Sequence, residues 1–372
     1  MSDQPRAPRA ASGAPRAIGE RGWEGDSYDT GVAFSWQFDY ELGVEKLAKL
    51  YHKSKRQQWD AAQDINWELP VDPARPLIED ERFNLASIPF VKRLSKSQQE
   101  TFRAHAGAQR ISQFLHGEQG ALMTSAALTH AVPDHEGKLY AATQTMDEAR
   151  HVEAFAGYLR KLAIIYPMSP FLKTLIDNTL RSGHWVKIAI GMNMIVEGLA
   201  LGAFHNMRRA TECALLRQII EGILRDEARH VAFGNVYVGR AISEMHEDER
   251  EDVAQFAFEA LLQMANATGR RAAESGQQAD PTFALVLENS GIDPADFETG
   301  MREAAALGIN FERQPGAVHA FKDLMMPALV RVGAITPRTR ALLAEEGIRI
   351  FDDLSVLESL EDTQTGEVQV GA

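Results

Sequence analysis

The hexapeptide DEARHV occurs twice in this chain of 372 residues, at 147–152 and again at 226–231. In each copy a Glu is followed three residues later by a His, and another Glu in an apolar setting stands thirty residues before the Glu of the hexapeptide. A constant offset of 79 residues relates the first set of three positions to the second. The first set is Glu118, Glu148 and His151, and the second set is Glu197, Glu227 and His230.

The residues around these positions place all six on the buried sides of helices. Near Glu227 and His230, apolar residues recur at alternating spacings of four and three, which is the pattern of a helix packed in a bundle. The other positions show the same spacing. Ionised glutamates in such a core are costly unless cations balance them, and a Glu and a His three residues apart can reach the same ion. The repeat therefore predicts two metal ions held between four helices.

The remaining charged residues of the hexapeptides are predicted to support these ligands. A metal-bound His usually donates its second N–H group to a carboxylate, so an Asp of one copy could serve the His of the other. The Arg of each copy would balance the charge of the Asp. These residues are Asp147, Arg150, Asp226 and Arg229. A solvated flank of each helix is the alternative interpretation.

Helical periodicity dominates from about residue 95 to about residue 275, and the alternation typical of strands is scarce. We therefore predict an all-α fold with a four-helix bundle at its core. The bundle domain is predicted at 95–274, after a helical segment at 28–94 and before a helical appendage at 275–360. Residues 1–27 and 361–372 are predicted to be disordered tails.

Composition argues against several classes of protein. The net charge of −13 disfavours binding to nucleic acid, and the N-terminal residues lack the hydrophobic stretch of a secretory signal. The single cysteine, Cys213, fits a reducing, cytoplasmic location. The most apolar window, Trp185–Phe204, contains Lys187 and Glu197, so we interpret it as a buried helix rather than a membrane span.

At the six candidate ligands the chain resembles the ferritin-like di-iron carboxylate superfamily. Its motifs are similar to those of the di-iron oxygenases, among them the bacterial multicomponent monooxygenase hydroxylases. Its size is closer to the p-aminobenzoate N-oxygenase group and the ribonucleotide reductase small subunits. The resemblance implies a ferritin-like bundle, two iron ions and O2 as co-substrate, with manganese–iron or manganese pairs as alternatives. It also implies that Asp147 pairs with His230, and Asp226 with His151.

Three positions depart from these families. Phe155 stands where the radical-forming reductase subunits have a tyrosine, Leu201 where the multicomponent hydroxylases have a threonine, and Ile223 where the N-oxygenase has an additional histidine. The departures exclude a radical on that tyrosine and leave six ligands rather than seven. Trp59 resembles a reductase tryptophan that links the metal site to the surface, and a packing role is the alternative.

The leading hypothesis is an O2-activating non-haem di-iron oxygenase that inserts oxygen into a C–H bond or an amine nitrogen of a small organic substrate. Phe155, Leu201 and Phe204 are candidates for the substrate pocket. Since no flavin or nicotinamide motif is visible, an external electron donor or reductase is expected. The long helices are consistent with a homodimer. The alternatives are a non-enzymatic iron-storage protein and an oxidase or desaturase that does not insert oxygen.

Overall fold

The computed structural model describes residues 27–38, 40–75, 88–162, 164–267, 280–307 and 317–365, together with Pro15 and Leu77. Every regular element within these residues is a helix, which confirms the all-α prediction. In chain order the elements are α1 (Glu45–Arg56), α2 (Pro89–Arg93), α3 (Lys96–Ala131), α4 (His135–Leu162), α5 (Pro170–Arg181), α6 (Trp185–Ala189), the π-helical segment π1 (Ile190–Val196), α7 (Glu197–Ala210), α8 (Ala214–Glu244), α9 (Glu247–Ala267), α10 (Pro281–Asn289), α11 (Pro294–Ala306), the π-helical segment π2 (Ala320–Met325), α12 (Met326–Arg331), α13 (Pro337–Glu345) and α14 (Ser355–Thr365).

Four long helices form the ferritin-like bundle at the centre of the protein. Helix α3 packs along α4, α7 packs along α8, and α4 also contacts α8. Helix α3 begins at a capping box formed by Ser95 and Gln98, and it ends before Pro133, which cannot continue a helix. Helix α1 crosses the outside of α4 and α8. The bundle therefore consists of the four helices that the repeat pattern predicts.

The third bundle helix is not a regular α-helix over its whole length. Helix α6, segment π1 and helix α7 follow one another without a break, and π1 ends directly before Glu197. All seven residues of π1 are buried. A Cβ atom on Gly234 of α8 would lie 2.8 Å from the Cβ atom of Asn193 in π1, so a glycine is needed for this close approach. Short π-helical turns of this kind are frequent at functional sites.

The same continuous helix, Trp185–Ala210, is long and apolar enough to cross a membrane by length and composition. Of its most apolar 18-residue window, 78% is buried inside the structure. A core helix of a bundle passes the same test, and packing against α8 accounts for its apolar surface. The stretch that the sequence singled out is thus a buried helix of the bundle.

One helix ends earlier than the sequence predicts. Pro167 predicts a helix end near Tyr166, but α4 ends at Leu162, and the backbone N–H of Tyr166 donates to Ser112 Oγ of α3 at 2.9 Å. Residues 268–279, which include the predicted boundary between 274 and 275, lie outside the described residues, as does most of the predicted tail at 1–27. Helix α14 extends to Thr365, within the predicted tail at 361–372. The domain limits stay predictions.

An extended arm precedes α1 and lies over the turn between α3 and α4, where the Ser35 N–H donates to the His130 carbonyl at 2.9 Å. Along this arm the polar residues Ser35 and Gln37 are half-buried, and the aromatic residues that alternate with them are exposed. These are Phe34 (61% exposed), Trp36 (72%), Phe38 (74%) and Tyr40 (67%). A strand that covers a core normally turns its apolar side inward. The arm therefore leaves an aromatic ridge on the surface.

Candidate metal centre

The six predicted ligands meet at one buried point inside the bundle. They come from α3 (Glu118), α4 (Glu148 and His151), the first residue of α7 (Glu197) and α8 (Glu227 and His230), and none is more than 5% exposed. Ligand atoms of Glu118, Glu148, His151 and Glu227 lie within 4.8 Å of one another, and so do those of Glu148, Glu197 and His230. The two groups share Glu148, so they could hold two neighbouring metal ions.

Each imidazole turns the same nitrogen toward the carboxylates. The Nδ1 atom of His151 lies 3.2 Å from Glu148 Oε2, and the Nδ1 atom of His230 lies 3.1 Å from Glu148 Oε1. The opposite nitrogens face aspartates: His151 Nε2 lies 3.1 Å from Asp226 Oδ2, and His230 Nε2 lies 3.3 Å from Asp147 Oδ2. A carboxylate at Nε2 holds the proton on that atom, so the lone pair of Nδ1 points into the centre, where a metal ion would bind.

The aspartates and arginines of the hexapeptides form a closed, buried ring. Arg150 Nη2 donates to Asp147 Oδ1 at 2.5 Å and to Asp226 Oδ2 at 3.0 Å, while Arg229 Nη2 donates to Asp147 Oδ2 at 3.3 Å and also to Asp226 Oδ1. Burial alone would raise the pKa of Asp226, but the hydrogen bond from His151 and the two guanidinium charges hold it well below its usual range. All four residues are at most 4% exposed, so the solvated-flank interpretation is wrong.

The charges of this ring cancel, which leaves the four glutamates as the unbalanced part of the centre. Burial raises the pKa of Glu118 to about 8, and burial together with neighbouring carboxylates raises the pKa values of Glu197 and Glu227 well above their usual range. Two divalent ions would neutralise four carboxylates. The Oε2 atoms of Glu148 and Glu227 are buried and accept no hydrogen bond from the described residues. The donor set therefore fits a dinuclear metal centre.

The C-terminal end of α1 covers the ring, a role that sequence reasoning missed. Gln58 Nε2 donates to Asp147 Oδ1 at 2.9 Å, its Oε1 accepts from Arg150 Nη1 at 2.6 Å, and Trp59 Nε1 donates to Asp226 Oδ2 at 2.8 Å. The Trp59 ring also stacks on His151, with centroids 6.3 Å apart. The available signal was the string QQW at 57–59, two amides and an indole directly after an amphipathic helix. Trp59 is thus bonded to the centre and not merely packed near it.

Two further amides, also not predicted as site residues, lie beside the glutamates. Gln144 Nε2 donates to Glu148 Oε1 at 3.0 Å and to Glu197 Oε1 at 2.9 Å. Asn193 of π1 donates to Gln144 Oε1 at 2.9 Å, so it fixes which end of the Gln144 amide faces the carboxylates. Each amide residue stands one helical turn before the glutamate of its own helix. These bonds orient two carboxylates without adding charge.

The repeat partners of these amides are apolar, namely Ile223 and Phe114. The Phe114 ring packs against two of the predicted pocket residues, with centroids 5.8 Å from Phe155 and 4.8 Å from Phe204. The third, Leu201, is also buried. The centre therefore has a polar side and an apolar side. A surface cleft of about 940 Å³ lies elsewhere, between α1, the start of α4 and α8, and none of these residues lines it.

Comparisons with known proteins give one family match and several similar solved structures. Residues 43–277 match the family model described as P-aminobenzoate N-oxygenase AurF. Similar solved structures include a variant of an R2-like ligand-binding oxidase with a Mn/Fe cofactor, 21% identical, which covers 72% of this chain and 94% of that chain with a TM-score of 0.45. A Synechococcus protein with aldehyde deformylating oxidase activity is 19% identical over 68% of this chain and 100% of that chain, with a TM-score of 0.43. The R2-like ligand-binding oxidase from Sulfolobus acidocaldarius is 18% identical over 70% of this chain and 92% of that chain, with a TM-score of 0.43.

The family match spans α1, all four bundle helices and both hexapeptides, and it covers well over half of the chain. The chain therefore belongs to the P-aminobenzoate N-oxygenase AurF family and is an oxygen-activating non-haem di-iron oxidoreductase.

Proposed function

We propose that this protein uses a dinuclear iron centre and O2 to insert oxygen into a C–H bond or an amine nitrogen of a small organic substrate. The proposed ligands are Glu118, Glu148, His151, Glu197, Glu227 and His230. The observation that carries the proposal is the pair of buried donor groups that share Glu148. When bound, the metal pair supplies the redox and Lewis-acid chemistry. Mixed carboxylate and imidazole donors favour iron, and a manganese–iron pair is the alternative.

The residues around the ligands hold this centre rigid and dry. Asp226 and Asp147 keep the two imidazoles in one tautomer, and Arg150 and Arg229 keep both aspartates ionised. The end of α1 covers the ring from outside, with Gln58 bonded to both an aspartate and an arginine. Because these contacts are made before any substrate binds, the ligands need little rearrangement during the reaction.

The apolar side of the centre is the proposed substrate side. Phe114, Phe155 and Phe204 form one aromatic cluster there, and Leu201 and Ile223 stand one turn from ligands on their helices. An apolar lining excludes water and favours an aromatic or aliphatic part of a substrate. Since the rings are in mutual contact, a substrate would have to displace them. Variants of this cluster should change substrate choice more than metal content.

Electrons are proposed to come from an external donor or reductase. Trp59 is half-buried, and its indole N–H is bonded to Asp226, which in turn accepts from His151. This chain of contacts joins the surface beside α1 to one of the two proposed metal positions. We infer that electrons enter the centre through Trp59. A cytoplasmic location is proposed as well, because the chain has one cysteine and therefore no internal disulfide.

The exposed side of the α3–α4 hairpin is proposed to bind a second copy of this chain. In the half of the hairpin nearer the α3–α4 turn, the exposed residues on this side are uncharged, whereas farther along α4 the same side carries Glu153 and Arg160. The uncharged residues are Gln119, Met123 and Ala126 on α3, and Ala142, Met146 and Ala149 on α4. The aromatic ridge extends this surface of the hairpin, since Phe34 stacks on His130 of α3 and Tyr40 contacts His135 of α4. The four ridge side chains alone expose about 500 Å², and a stable interface needs about 800 Å² on each partner. A short-lived redox partner would use a smaller and more charged surface.

Sedimentation tests this interface. The wild-type chain should sediment at twice its 41.2 kDa mass. The double variant Trp36→Glu with Met146→Glu should be monomeric, because it buries two charges in the interface. Leu307→Glu changes an exposed apolar residue outside this surface and should stay dimeric. A monomeric wild type, or a dimeric double variant, would contradict the proposal.

Metal analysis and labelled oxygen test the activity. The wild-type chain should hold two iron ions. The double variant Glu148→Ala with Glu227→Ala should lose most of this iron. Glu153→Ala, an exposed change on the same helix as Glu148, should keep them. With ¹⁸O2 and candidate arenes or amines, labelled oxygen should appear in the product. Accumulation of oxidised iron far beyond two ions per chain would support storage instead, and substrate oxidation without label would support an oxidase.

A further inference from the structure

A line of aromatic side chains begins one helical turn beyond the proposed ligand His230 and runs to the surface. Phe233 stands three residues after His230 on α8, and its ring stacks on Tyr140 of α4 with centroids 4.4 Å apart. The ring centroids of Phe233 and Tyr237 are 5.3 Å apart, and those of Tyr237 and Trp185, at the start of α6, are 4.8 Å apart. Trp185 is half-buried, so the line reaches solvent at that end. Three of its members, Tyr140, Tyr237 and Trp185, are tyrosine or tryptophan, the two aromatic types that are most easily oxidised.

Tyr237 has a built-in acceptor for its proton. Its hydroxyl donates to Asp134 Oδ2 at 2.8 Å, and Arg240 Nη1 donates to Asp134 Oδ1 at 3.3 Å. Burial and the charge of Asp134 raise the pKa of Tyr237 well above its usual value, so the phenol stays neutral until it loses an electron. Tyr140 differs, because its buried hydroxyl has no hydrogen-bond partner among the described residues.

The internal repeat supplies a matched comparison. Tyr158 stands seven residues after His151, as Tyr237 stands seven residues after His230, so both lie two helical turns beyond a proposed ligand. The hydroxyl of Tyr158 contacts Cys213 Sγ at 3.6 Å instead of a carboxylate, and no tryptophan ring pairs with Tyr158 in the described part of the chain. The fold therefore accepts a tyrosine at this position without a carboxylate beside its hydroxyl. The surroundings of Tyr237 need a separate explanation.

We propose that Tyr237 donates an electron to the activated metal centre when O2 has been activated and no substrate is bound. We call this role of Tyr237 the oxidation outlet. This inference rests on the proposed function. Tyr237 loses one electron, which the oxidised metal pair gains, and its hydroxyl proton moves to Asp134. A neutral phenoxyl radical and a carboxylic acid result. Trp185 then returns one electron to Tyr237 as the proton comes back from Asp134, and an external thiol or reduced donor restores Trp185 at the surface.

Electron paramagnetic resonance tests the outlet. Full-length, iron-loaded protein is mixed with O2 without substrate and frozen at short times. An organic radical should form, and its spectrum should narrow when the protein contains deuterated tyrosine, which separates Tyr237 from Trp59 and Trp185. Tyr237→Phe should lose this signal and Tyr158→Phe should keep it. Asp134→Asn should lower the radical yield by about tenfold, because a hydrogen bond to a charged acceptor shifts an equilibrium by at least that factor.

Iron content, O2 consumption and folding by circular dichroism are measured on the same samples. Iron-loaded protein that consumes O2 but forms no tyrosine radical would overturn the outlet while the proposed function stands, and so would a folded Tyr237→Phe variant with an undiminished signal. Failure of the wild type to bind iron and consume O2 would contradict the proposed function and this inference together. As a second readout, mass spectrometry should find more oxidised His151 and His230 after O2 exposure in Tyr237→Phe than in Tyr158→Phe.

Discussion

Replacing Asp226 by Asn removes one carboxylate from the buried Asp–Arg ring and keeps the shape of the side chain. In the structure Asp226 accepts hydrogen bonds from His151 Nε2 at 3.1 Å and from Arg150 and Arg229. The amide of Asn has only one acceptor oxygen, so its NH2 group would face N–H groups of His151 or the arginines that now donate to Asp226. The two arginines would then share the one remaining carboxylate, that of Asp147. We expect both the stability of the fold and the affinity for metal to fall.

The structure gives a magnitude for each loss. Asp226 is fully buried, and removing one partner of a buried ion pair costs about 3–5 kcal/mol. We expect the lower end, about 3 kcal/mol, because Asp147 still contacts both arginines. The loss of the carboxylate behind His151 should weaken metal binding by about 10–100-fold. That range corresponds to about 1.4–2.8 kcal/mol.

Two measurements separate these effects. Urea unfolding of metal-free protein gives the change in the free energy of unfolding, and competition with a chelator gives the change in iron affinity. Asp147→Asn is the matched control, because it loosens His230 instead of His151. Mössbauer spectra should therefore show one perturbed iron site in each variant. The perturbed site should be the one bound by His151 in Asp226→Asn and the one bound by His230 in Asp147→Asn. An Asp226→Asn variant that unfolds like wild type and binds iron as tightly would refute the reasoning.

Two further predictions concern packing and carboxylate orientation. Gly157→Ala would place a Cβ atom 2.4 Å from Cη2 of Trp67, so the free energy of unfolding of this variant in urea should fall by about 1–3 kcal/mol. A Cβ atom at Gly117 would have no heavy atom within 4 Å, so Gly117→Ala should raise the free energy of unfolding by about 0.5–1 kcal/mol. Equal stability of these two variants would mean that the Trp67 contact does not form. Gln144→Leu removes the donor to two carboxylates of the centre and should weaken iron binding by about tenfold in chelator competition. Ile223→Val, at the repeat partner, should bind iron like wild type, and an unchanged Gln144→Leu variant would argue against the orienting role.

The bundle and the cluster of six side chains could be predicted because the spacing of apolar residues records which side of each helix is buried. The pattern is clear around Glu148 and Glu227, where polar and apolar residues alternate with the helical period. It fails over Ile190–Val196, where every residue is buried and no side stands out. A π-helical turn there leaves no mark on a sequence that is buried on every side.

The residues that the sequence did not predict come from outside the repeat or act through contacts that spacing does not encode. Gln58 reaches the ring from the end of α1, and it lies 89 residues from Asp147 in the chain. Gln144 is visible on the predicted inward side, but its link to Glu197 depends on how α4 and α7 meet in three dimensions. Trp59 could be read as a relay or as packing, and only its bond to Asp226 distinguishes the two. Long-range hydrogen bonds of this kind have no local signature.

The crossed pairing of aspartates and histidines has a consequence for the origin of this fold. A hairpin of α3 and α4 alone would carry His151 but lack the aspartate that fixes its tautomer, and a unit of α7 and α8 alone would lack the aspartate that serves His230. Two identical ancestral hairpins related by a two-fold axis would each complete the other. Duplication and fusion of such a hairpin would turn a contact between identical chains into an internal one and would leave a constant offset, such as the 79 residues found here.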